Sequence, residues 1–331
     1  MMLSTDIGID LGTSNTLIYE RKKGIVLNEP SIIAIDKRSN KVIDTGNNAY
    51  KILGKEPKNI KIIYPLQNGT IIDIDALELM INEFIKKIKT NNMFIKPRVL
   101  ISLSADLTSL EKDVIKEIIL KLGARKVYVE PSIKTAAIGI GMNISEPIAN
   151  MIVDIGGTTT DIGVLSLNDI VKYSSVKIGG KTFDEDIIKY IREKYKVLIG
   201  KLTAETLKIN HLNVYKEDNH TVEIKGKDLI SGLPTTISLE KNELKYAIKE
   251  NLNKIIKEII HILEQTPPEL SADIVEKGIV ITGGCAKMKG LLELINKKTN
   301  VPIFIAEYPL ISVIEGSGKL INELKLIDED Q

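Results

Sequence analysis

Two short segments rich in glycine and threonine have the same layout in this chain. Residues 10–16 read Asp-Leu-Gly-Thr-Ser-Asn-Thr, and residues 154–161 read Asp-Ile-Gly-Gly-Thr-Thr-Thr-Asp. Each lies between two apolar runs, which is typical of a β-hairpin whose turn contains the glycines. Glycine lets a ligand approach the backbone closely, and consecutive backbone N–H groups and hydroxyls bind anions. We therefore predict that the two turns bind the phosphates of one nucleotide from two sides.

Each segment also begins with an aspartate. Mg²⁺ is bound in proteins by one or two carboxylates together with phosphates and water. Asp10 and Asp154 are therefore predicted to hold Mg²⁺ against the phosphates. The alternative is that both segments are ordinary hairpin turns without a ligand. Two copies in one chain favour a duplicated nucleotide-binding domain over that alternative.

The composition narrows the class of protein. A chain of 331 residues with 43% hydrophobic and 27% charged residues has the material for two globular domains. The net charge of +1 gives no electrostatic argument for a nucleic-acid partner. The single Cys285 excludes an internal disulfide and fits a reducing compartment. With no basic signal-peptide start and no apolar run long enough to span a bilayer, we expect a cytoplasmic protein.

Strand-like and helical patterns alternate along the chain, which predicts an α/β fold. Residues 6–20 and 24–35 are predicted to form strands of the first sheet, and residues 36–65 a small irregular insertion. Amphipathic patterns predict a closing helix over residues 315–324 and the main helices, over residues 75–89, 109–122, 132–141, 183–195, 203–208 and 241–265. The last of these is the longest, and its apolar stripe is predicted to be buried.

Further glycine sites follow the two hairpins at 179–180, 282–284 and 315–318, in the order typical of the actin-like ATPases. The chain resembles the MreB family of bacterial actins in particular, over essentially its whole length. The segments that carry this resemblance are Asp6–Thr13, Asn28–Ser31, Lys96–Val99, Val153–Gly157, Thr266–Leu270 and Thr282–Gly284.

The resemblance implies a duplicated actin-like (ribonuclease-H-like) ATPase fold, with two large subdomains around a nucleotide cleft and a small subdomain on each. It also implies ATP-dependent assembly of the protein with itself into filaments of paired protofilaments. The implied boundaries are 1–33, 66–145 and 312–331 for subdomain IA, 34–65 for IB, 146–181 and 245–311 for IIA, and 182–244 for IIB.

The resemblance further implies which residues contact ATP or ADP. Glu205 and Lys208, one helical turn apart, match the pair that holds adenine and ribose, although this pattern alone is more often a surface ion pair. The remaining expected contacts are Asp10, Gly12, Thr13, Ser14 and Asn15 in the first loop, Asp154, Gly156, Gly157 and Thr158 in the second, and Gly179, Gly180, Gly283, Gly284 and Cys285 in the later sites.

The expected catalytic residues include one departure from the family. Thr159 matches a water-positioning threonine, and Asp154 matches the metal-binding aspartate. The family usually has Glu-Glu-Pro-Met-Ala-Ala-Ala-Ile-Gly in the helix between the two halves, and an alignment without a gap places Ser132 at the glutamate that orients the attacking water. Because such assistance is worth roughly 10²- to 10⁴-fold, we expect slow ATP hydrolysis with intact binding. The alternative is that Glu130 takes this role through a local shift at Pro131.

A short apolar segment, Met93-Phe94-Ile95, matches the hydrophobic membrane loop of the family and is followed by Lys96 and Arg98. Apolar tips beside basic residues can enter an anionic lipid surface. We therefore expect a peripheral location at the inner face of the cell membrane. Each subunit should bind weakly and a filament more strongly through multivalency.

Two functions remain in competition on the sequence. The first is an ATP-binding cytoskeletal protein that forms filaments for cell shape or motility. The second is a small-molecule kinase with the same duplicated ATP cleft. Sedimentation with ATP would distinguish them, because only the first predicts assembly.

Overall fold

The computed structural model describes residues 6–88 and 96–329, with side chains as far as residue 323. The chain forms two compact units. The first unit ends at Ile144 and resumes at Ile311, and the second unit is Ser145–Leu310.

The first unit is built around a sheet with the strand order β10-β9-β1-β2-β3. Its strands, together with those of a smaller sheet and a short hairpin, are β1 (Ile7–Leu11), β2 (Asn15–Glu20), β3 (Gly24–Pro30), β4 (Ile33–Asp36), β5 (Val42–Thr45), β6 (Ile60–Ile63), β7 (Leu66–Gln67), β8 (Thr70–Ile71), β9 (Arg98–Leu103) and β10 (Lys126–Pro131). Its helices in this part of the chain are α1 (Asn47–Lys51), α2 (Ile74–Ile88), α3 (Ser109–Lys121) and α4 (Ser132–Ile140).

The second unit contains β11 (Asn150–Ile155), β12 (Thr160–Ser166), β13 (Asp169–Val176), β14 (Val197–Leu198), β15 (Thr221–Asp228), β16 (Pro234–Glu240), β17 (Ile279–Thr282) and β18 (Ile303–Ile305). Its helices are α5 (Gly180–Tyr195), α6 (Lys201–His211), α7 (Lys241–Gln265), α8 (Pro268–Lys277) and α9 (Leu291–Thr299), with a 3₁₀ turn over Gly284–Lys287. The last helix, α10 (Ser312–Glu329), returns to the first unit.

The large sheets of the two units have the same topology. In the first, β1 pairs antiparallel with β2 and β2 with β3, while β1, β9 and β10 are parallel. In the second, β11, β12 and β13 repeat the antiparallel arrangement, while β11, β17 and β18 are parallel. The predicted α/β duplication is therefore confirmed, and each glycine-rich segment lies in the turn after the first strand of its sheet.

Residues 36–65 are not the irregular insertion that the sequence predicted. They contain β5, α1 and β6, and the two strands pair with β4 in a sheet with the order β5-β4-β6. Ile32, Ala34 and Ala49 form the buried centre of this sheet and its helix. The strands are only four residues long and lie between Asn- and Gly-containing turns, so their periodicity in the sequence is weak. The division of the two units into four subdomains remains a prediction.

The longest helix agrees with its predicted bounds. α7 spans Lys241–Gln265, and Ile248, Leu252, Ile255 and Ile259 of its predicted stripe are all buried in the core of the second unit. Residues at i, i+3, i+4 and i+7 share one face of a helix, so burial of this stripe attaches α7 to the sheet. The prediction of a buried rather than a partner-binding stripe is confirmed.

Two glycines allow α4 and α10 to cross at close range. A Cβ atom on Gly139 would overlap the carbonyl oxygen of Ser312, and one on Gly316 would overlap the carbonyl oxygen of Thr135. The segment 315–318 lies inside α10, which agrees with the helix predicted over 315–324, and Gly316 allows the close packing of that helix on α4. This crossing also fixes α4, the helix that begins at Ser132.

Candidate functional site

The first loop, residues 12–14, joins β1 to β2 and is fixed from the end of β3. The Ser31 N–H donates to the carbonyl of Ser14 at 2.8 Å, and the Ser31 hydroxyl donates to the carbonyl of Gly12 at 2.6 Å. Because the one hydroxyl proton of Ser31 is used there, the Thr16 hydroxyl donates to the Ser31 oxygen at 2.9 Å. These bonds turn the carbonyls of the loop toward β3.

Ser31 and Asn28 position the first loop, a role that the sequence alone did not predict. Ser31 is fully buried, and the Asn28 side chain accepts from the amide of Asn15 at 2.8 Å. The segment Asn28–Ser31 in the family resemblance was the signal for them. Its contacts with the loop depend on the pairing of β2 with β3, which no local pattern in the sequence states.

Asp10 lies on β1 in a row with two other polar residues. The register pairs Asp10 with Ser102 on β9 and Ser102 with Glu130 on β10. Neighbouring strands are about 4.8 Å apart, so Glu130 lies about 10 Å from Asp10 along this row. Burial raises the pKa of the Asp10 carboxyl to about 7. A divalent cation beside it would favour the ionised form and reverse that shift.

Ser132 is the first residue of α4 and follows directly after β10. The structure therefore brings Glu130 and Ser132 to the edge of the sheet that also carries the first loop. The Glu130 carboxylate forms an ion pair with Lys134 at 3.1 Å.

The second loop, residues 156–159, is closed by a bond from the Gly156 N–H to the carbonyl of Thr159 at 2.9 Å. The start of α5 lies against it. Gly180 N–H donates to the carbonyl of Gly156 at 3.0 Å, and a Cβ on Gly179 would be only 2.7 Å from backbone atoms of the loop. The predicted Gly179-Gly180 pair thus contacts the second loop. Within the loop, Thr158 is buried and Thr159 is half-buried.

Asp154 precedes this loop and lies directly opposite Asp161 on β12. Residues directly opposite in an antiparallel pair share a face, and like charges there are unfavourable. Asp161 accepts from the Tyr173 hydroxyl at 2.7 Å. A cation at this face would offset the repulsion between the two carboxylates.

Lys208 on α6 is attached to the start of α5. Its ammonium donates to the carbonyl of Gly180 at 2.7 Å and forms an ion pair of 2.7 Å with Asp184. Burial raises the pKa of Asp184 to about 6, although the nearby Lys208 opposes that shift. Glu205, one turn earlier on α6, is half-buried.

The Gly283-Gly284-Cys285 segment lies against Asp154 and the second loop. Gly283 has φ +84, and a Cβ there would overlap the Asp154 carboxylate. Its N–H donates to the carbonyl of Pro309 at 3.0 Å. The Cys285 thiol lies 3.7 Å from the carbonyl of Gly156, and burial raises its pKa to about 11. This thiol is therefore neutral and serves packing, not nucleophilic chemistry.

Of the predicted residues, those of the second unit that make direct contacts with one another are Asp154, Gly156, Gly157, Thr158, Thr159, Gly179, Gly180, Lys208, Gly283 and Cys285. Among residues 6–88 and 96–329, no cluster of three or more His, Cys, Asp or Glu side chains could hold a metal ion. Neither Asp10 nor Asp154 belongs to such a cluster, and a single carboxylate suits a Mg²⁺ ion that is bound largely by phosphates and water.

Two further observations concern membranes. The predicted contact residues Met93, Phe94 and Ile95 lie outside the described residues. In the described part of the chain, no helix is both long enough and apolar enough to cross a bilayer.

Comparison with known proteins identifies the family. Residues 4–329 match the family described as MreB/Mbl protein. The chain is 46% identical over 324 residues to the cell shape-determining protein Mbl of Bacillus subtilis strain 168, covering 98% of this chain and 97% of that protein. The chain belongs to the MreB/Mbl family.

Solved structures agree with this assignment. The crystal structure of MreB 5 of Spiroplasma citri bound to AMPPNP has a TM-score of 0.95 and 35% identity, covering 100% of this chain and 99% of that one. A structure of MreB5 bound to ADP matches with a TM-score of 0.94. The MamK double helical filament, at 19% identity and a TM-score of 0.82 over 97% of this chain and 99% of that one, shares the fold. The predicted actin-like fold is therefore confirmed.

Proposed function

We propose that this chain is an ATP-binding, actin-like cytoskeletal protein that assembles into filaments supporting cell shape or motility in a bacterium. The observation that carries the proposal is membership of the MreB/Mbl family over residues 4–329, with a cell shape-determining relative at 46% identity. Family membership does not favour the competing small-molecule kinase.

Nucleotide binding is supported by both glycine-rich loops and by the nucleotides bound to MreB5. The first loop is fixed from β3 with its backbone ordered around Gly12 and Ser14. In the second unit, glycines at 179, 180 and 283 let the second loop, the start of α5 and the Gly283 segment approach one another closely, which supports a close approach of a ligand to this backbone. ATP or ADP with Mg²⁺ at Asp10 and Asp154 would use both loops.

Hydrolysis of ATP is the proposed reaction, and we propose that it is slow. Thr159 would position the attacking water, and Ser132 would stand where a carboxylate is usual. Glu130 is the alternative carboxylate, but it is held in an ion pair with Lys134 at 3.1 Å. Slow turnover with intact binding follows from this arrangement.

Assembly is supported by the fold shared with the MamK double helical filament and by exposed apolar side chains on the second unit. Ile230 is 85% exposed and Leu233 is 64% exposed in the turn between β15 and β16, while Phe304 and Tyr308 are 51% and 62% exposed elsewhere. Open polymers need two different surfaces on each subunit. The filaments would consist of paired protofilaments, and residues 93–95 would attach them to the inner face of the membrane.

The deciding experiment is sedimentation of the protein with Mg²⁺ and ATP, followed by electron microscopy of the pellet. We expect pelleted strands at tens of micromolar protein, roughly where weak contacts become populated. Protein that binds ATP but stays monomeric at these concentrations would favour the kinase. Protein that binds no nucleotide would contradict both functions.

A further inference from the structure

The small sheet β5-β4-β6 carries a groove that is lined by charged and polar side chains. The groove has a volume of about 460 Å³ and is lined by Lys37, Arg38, Lys58 and Asn59, all of which are exposed. Sites for small molecules have similar volumes, but apolar side chains line most of their surface. This basic groove therefore has the size of a binding site and the chemistry of a site for anions.

Two segments of the chain are fixed to each other to form the basic groove. The Lys37 N–H donates to the carbonyl of Asn59 at 2.8 Å, and the Lys37 ammonium donates to the carbonyl of Lys58 at 2.6 Å. The Asn59 amide donates to the Asp36 carboxylate at 3.1 Å. These bonds hold the residues that carry the three positive charges side by side.

Asp36 lies beside the basic groove, and its carboxylate is held by the loop that follows it. Its Oδ1 atom accepts from the N–H groups of Arg38 and Ser39 at 2.9 and 2.8 Å and from the Ser39 hydroxyl at 3.1 Å. The other oxygen accepts from Asn59. The carboxylate therefore orders the backbone of the groove and forms no ion pair with its cations.

The cations of the basic groove are not paired with carboxylates among the described residues. In that part of the chain, the side chains of Arg38 and Lys58 form neither an ion pair nor a hydrogen bond. Lys87 of the nearby helix α2 differs, since it pairs with Glu29 at 2.6 Å. Like charges that are held close together repel, so a bound anion would relieve this repulsion.

Positive charge also surrounds the basic groove. Residues 36–61 contain seven Lys or Arg and three Asp or Glu, a net charge of +4, in a chain whose net charge is +1. Four of these lysines lie outside the groove and are exposed, namely Lys41, Lys51, Lys55 and Lys61. Charge that is spread over a surface attracts an extended anionic partner, and clusters of several Lys and Arg are typical of binding to anionic lipids.

The aromatic side chains of this region are not placed to stack on nucleic-acid bases. Tyr50 and Tyr64 pack against the buried centre of the small sheet. Single-stranded nucleic acids bind basic grooves through such stacking, so a lipid surface fits this groove better.

The basic groove lies close to the end of α2. Lys87, in the last turn of α2, donates to the carbonyl of Thr45, the last residue of β5, at 3.3 Å. The loop 37–41, which carries two of the groove's cations, leads into the first residue of β5. A four-residue strand is about 10 Å long. The end of α2 and the loop are therefore one short strand apart, and residues 93–95 follow α2 in the sequence.

We propose that the basic groove is a docking site for the phosphate groups of anionic phospholipids. This inference rests on the proposed function and adds an electrostatic contact to the apolar contact of residues 93–95. Arg38 can bind a phosphate through two N–H groups at once, whereas Lys58 contributes a point charge. The groove recognises the charge of the lipid and does not replace insertion of apolar side chains.

The test is co-sedimentation of the full-length protein, assembled with Mg²⁺ and ATP, with vesicles of phosphatidylglycerol. Arg38→Glu combined with Lys58→Glu should weaken binding by on the order of tenfold or more, because each cation near an anionic surface contributes to affinity. The binding that remains should depend less on salt than that of the parent. Arg38→Gln combined with Lys58→Gln removes the charges without adding repulsion, so its loss should be smaller.

The matched control is Lys225→Glu combined with Lys227→Glu, which makes the same change in net charge at two exposed lysines of β15. It should bind phosphatidylglycerol vesicles like the parent. The groove variants and the control should keep ATP-dependent assembly in the absence of vesicles, which also shows that they are folded.

Three results would overturn the inference. Equal losses of vesicle binding in the two charge-reversed variants would show that only net charge matters. Loss of assembly without vesicles in the groove variants alone would mean that the groove contacts another copy of the chain. Calorimetric binding of inorganic phosphate to the groove, with vesicle binding unchanged by the substitutions, would assign the groove to a soluble anion.

Failure of the proposed function would give a different result. A parent that assembles with ATP but does not bind phosphatidylglycerol vesicles contradicts this inference, while nucleotide binding and assembly stand. A parent that neither binds nucleotide nor assembles contradicts the proposed function.

Discussion

Asp154 is the residue on which the proposed metal site depends most directly in the second unit. It lies opposite Asp161, and the backbone of Gly283 lies against its carboxylate. Removing this carboxylate takes away a Mg²⁺ ligand, so Asp154→Ala should weaken Mg–ATP binding by at least about tenfold, as is usual for loss of a metal-site residue. Calorimetry with ATP in the presence and absence of EDTA measures the effect.

The matched control for Asp154 is Asp169→Ala, which removes an exposed carboxylate from the next turn of the same sheet. We expect that variant to bind like the parent. Chelation of Mg²⁺ should reduce the affinity of the parent more than that of Asp154→Ala. Equal affinities of Asp154→Ala and the parent for Mg–ATP would contradict the metal assignment.

Ser132 determines the expected rate of hydrolysis. A carboxylate restored at the first residue of α4 would lie close to the edge that carries the first loop, so Ser132→Glu should release phosphate faster than the parent. The gain should be about tenfold, which is below the usual range of general-base assistance. Lys134, which is already paired with Glu130 at 3.1 Å, can pair with the new glutamate and reduce its basicity.

Ser132→Ala and Glu130→Gln complete this comparison. If Ser132 contributes nothing to turnover, Ser132→Ala should keep the slow rate of the parent, and Glu130→Gln should change it little. A large loss of phosphate release in Glu130→Gln would instead mean that Glu130 orients the water. Single-turnover phosphate release with saturating ATP separates these effects from changes in binding.

The sequence located the turn that carries several predicted site residues, because those residues belong to one local motif. Asp10, Gly12 and Ser14 are adjacent in the chain, and their hairpin needs only the apolar runs on either side. Ser31 was not predicted to hold the first loop, because it reaches that loop only through the pairing of β2 with β3. Residue type and spacing do not specify such contacts.

Packing of α4 against α10 is the structural feature most sensitive to a single methyl group. In an exposed helix, Gly→Ala is stabilising by up to about 1 kcal/mol. At Gly316 the added methyl would overlap the carbonyl of Thr135, so Gly316→Ala should instead destabilise by about 2 kcal/mol. The change in thermal midpoint relative to the parent gives both the sign and the size of this change in stability.

Gly200→Ala is the control for this substitution, because a Cβ at Gly200 has open space around it. Gly200 is the N-cap of α6, so Gly200→Ala should cost only the difference in N-cap preference between glycine and alanine, below about 1 kcal/mol of folding stability. Gly139→Ala should behave like Gly316→Ala, since its methyl would overlap the carbonyl of Ser312. A higher thermal midpoint for Gly316→Ala than for the parent would mean that the helices separate without cost.

Helices and strands differ in how far the sequence predicted them. α7 matches its predicted bounds because 25 residues carry one apolar stripe without interruption. The sheet β5-β4-β6 was missed, because its short strands gain their burial from each other and from α1. Gly316 lies in the helix predicted over 315–324, but its role in close packing against α4 could not be predicted, because glycine for helix packing and glycine for ligand approach look alike in a sequence.

The last prediction concerns the whole assembly at a lipid surface. Residues 93–95 form one small apolar segment per subunit, so a single subunit should bind vesicles weakly, whereas a filament presents many segments at once. Co-sedimentation with anionic vesicles should therefore require ATP and weaken at high salt. Phe94→Asp removes apolar area and adds a charge of the same sign as the lipid surface, so it should abolish vesicle binding but keep ATP-dependent assembly.

Ile209→Asp, at a 63% exposed position on α6, is the control and should keep both vesicle binding and assembly. Equal vesicle binding with and without ATP would contradict multivalency, and full vesicle binding by Phe94→Asp would contradict the membrane role of residues 93–95.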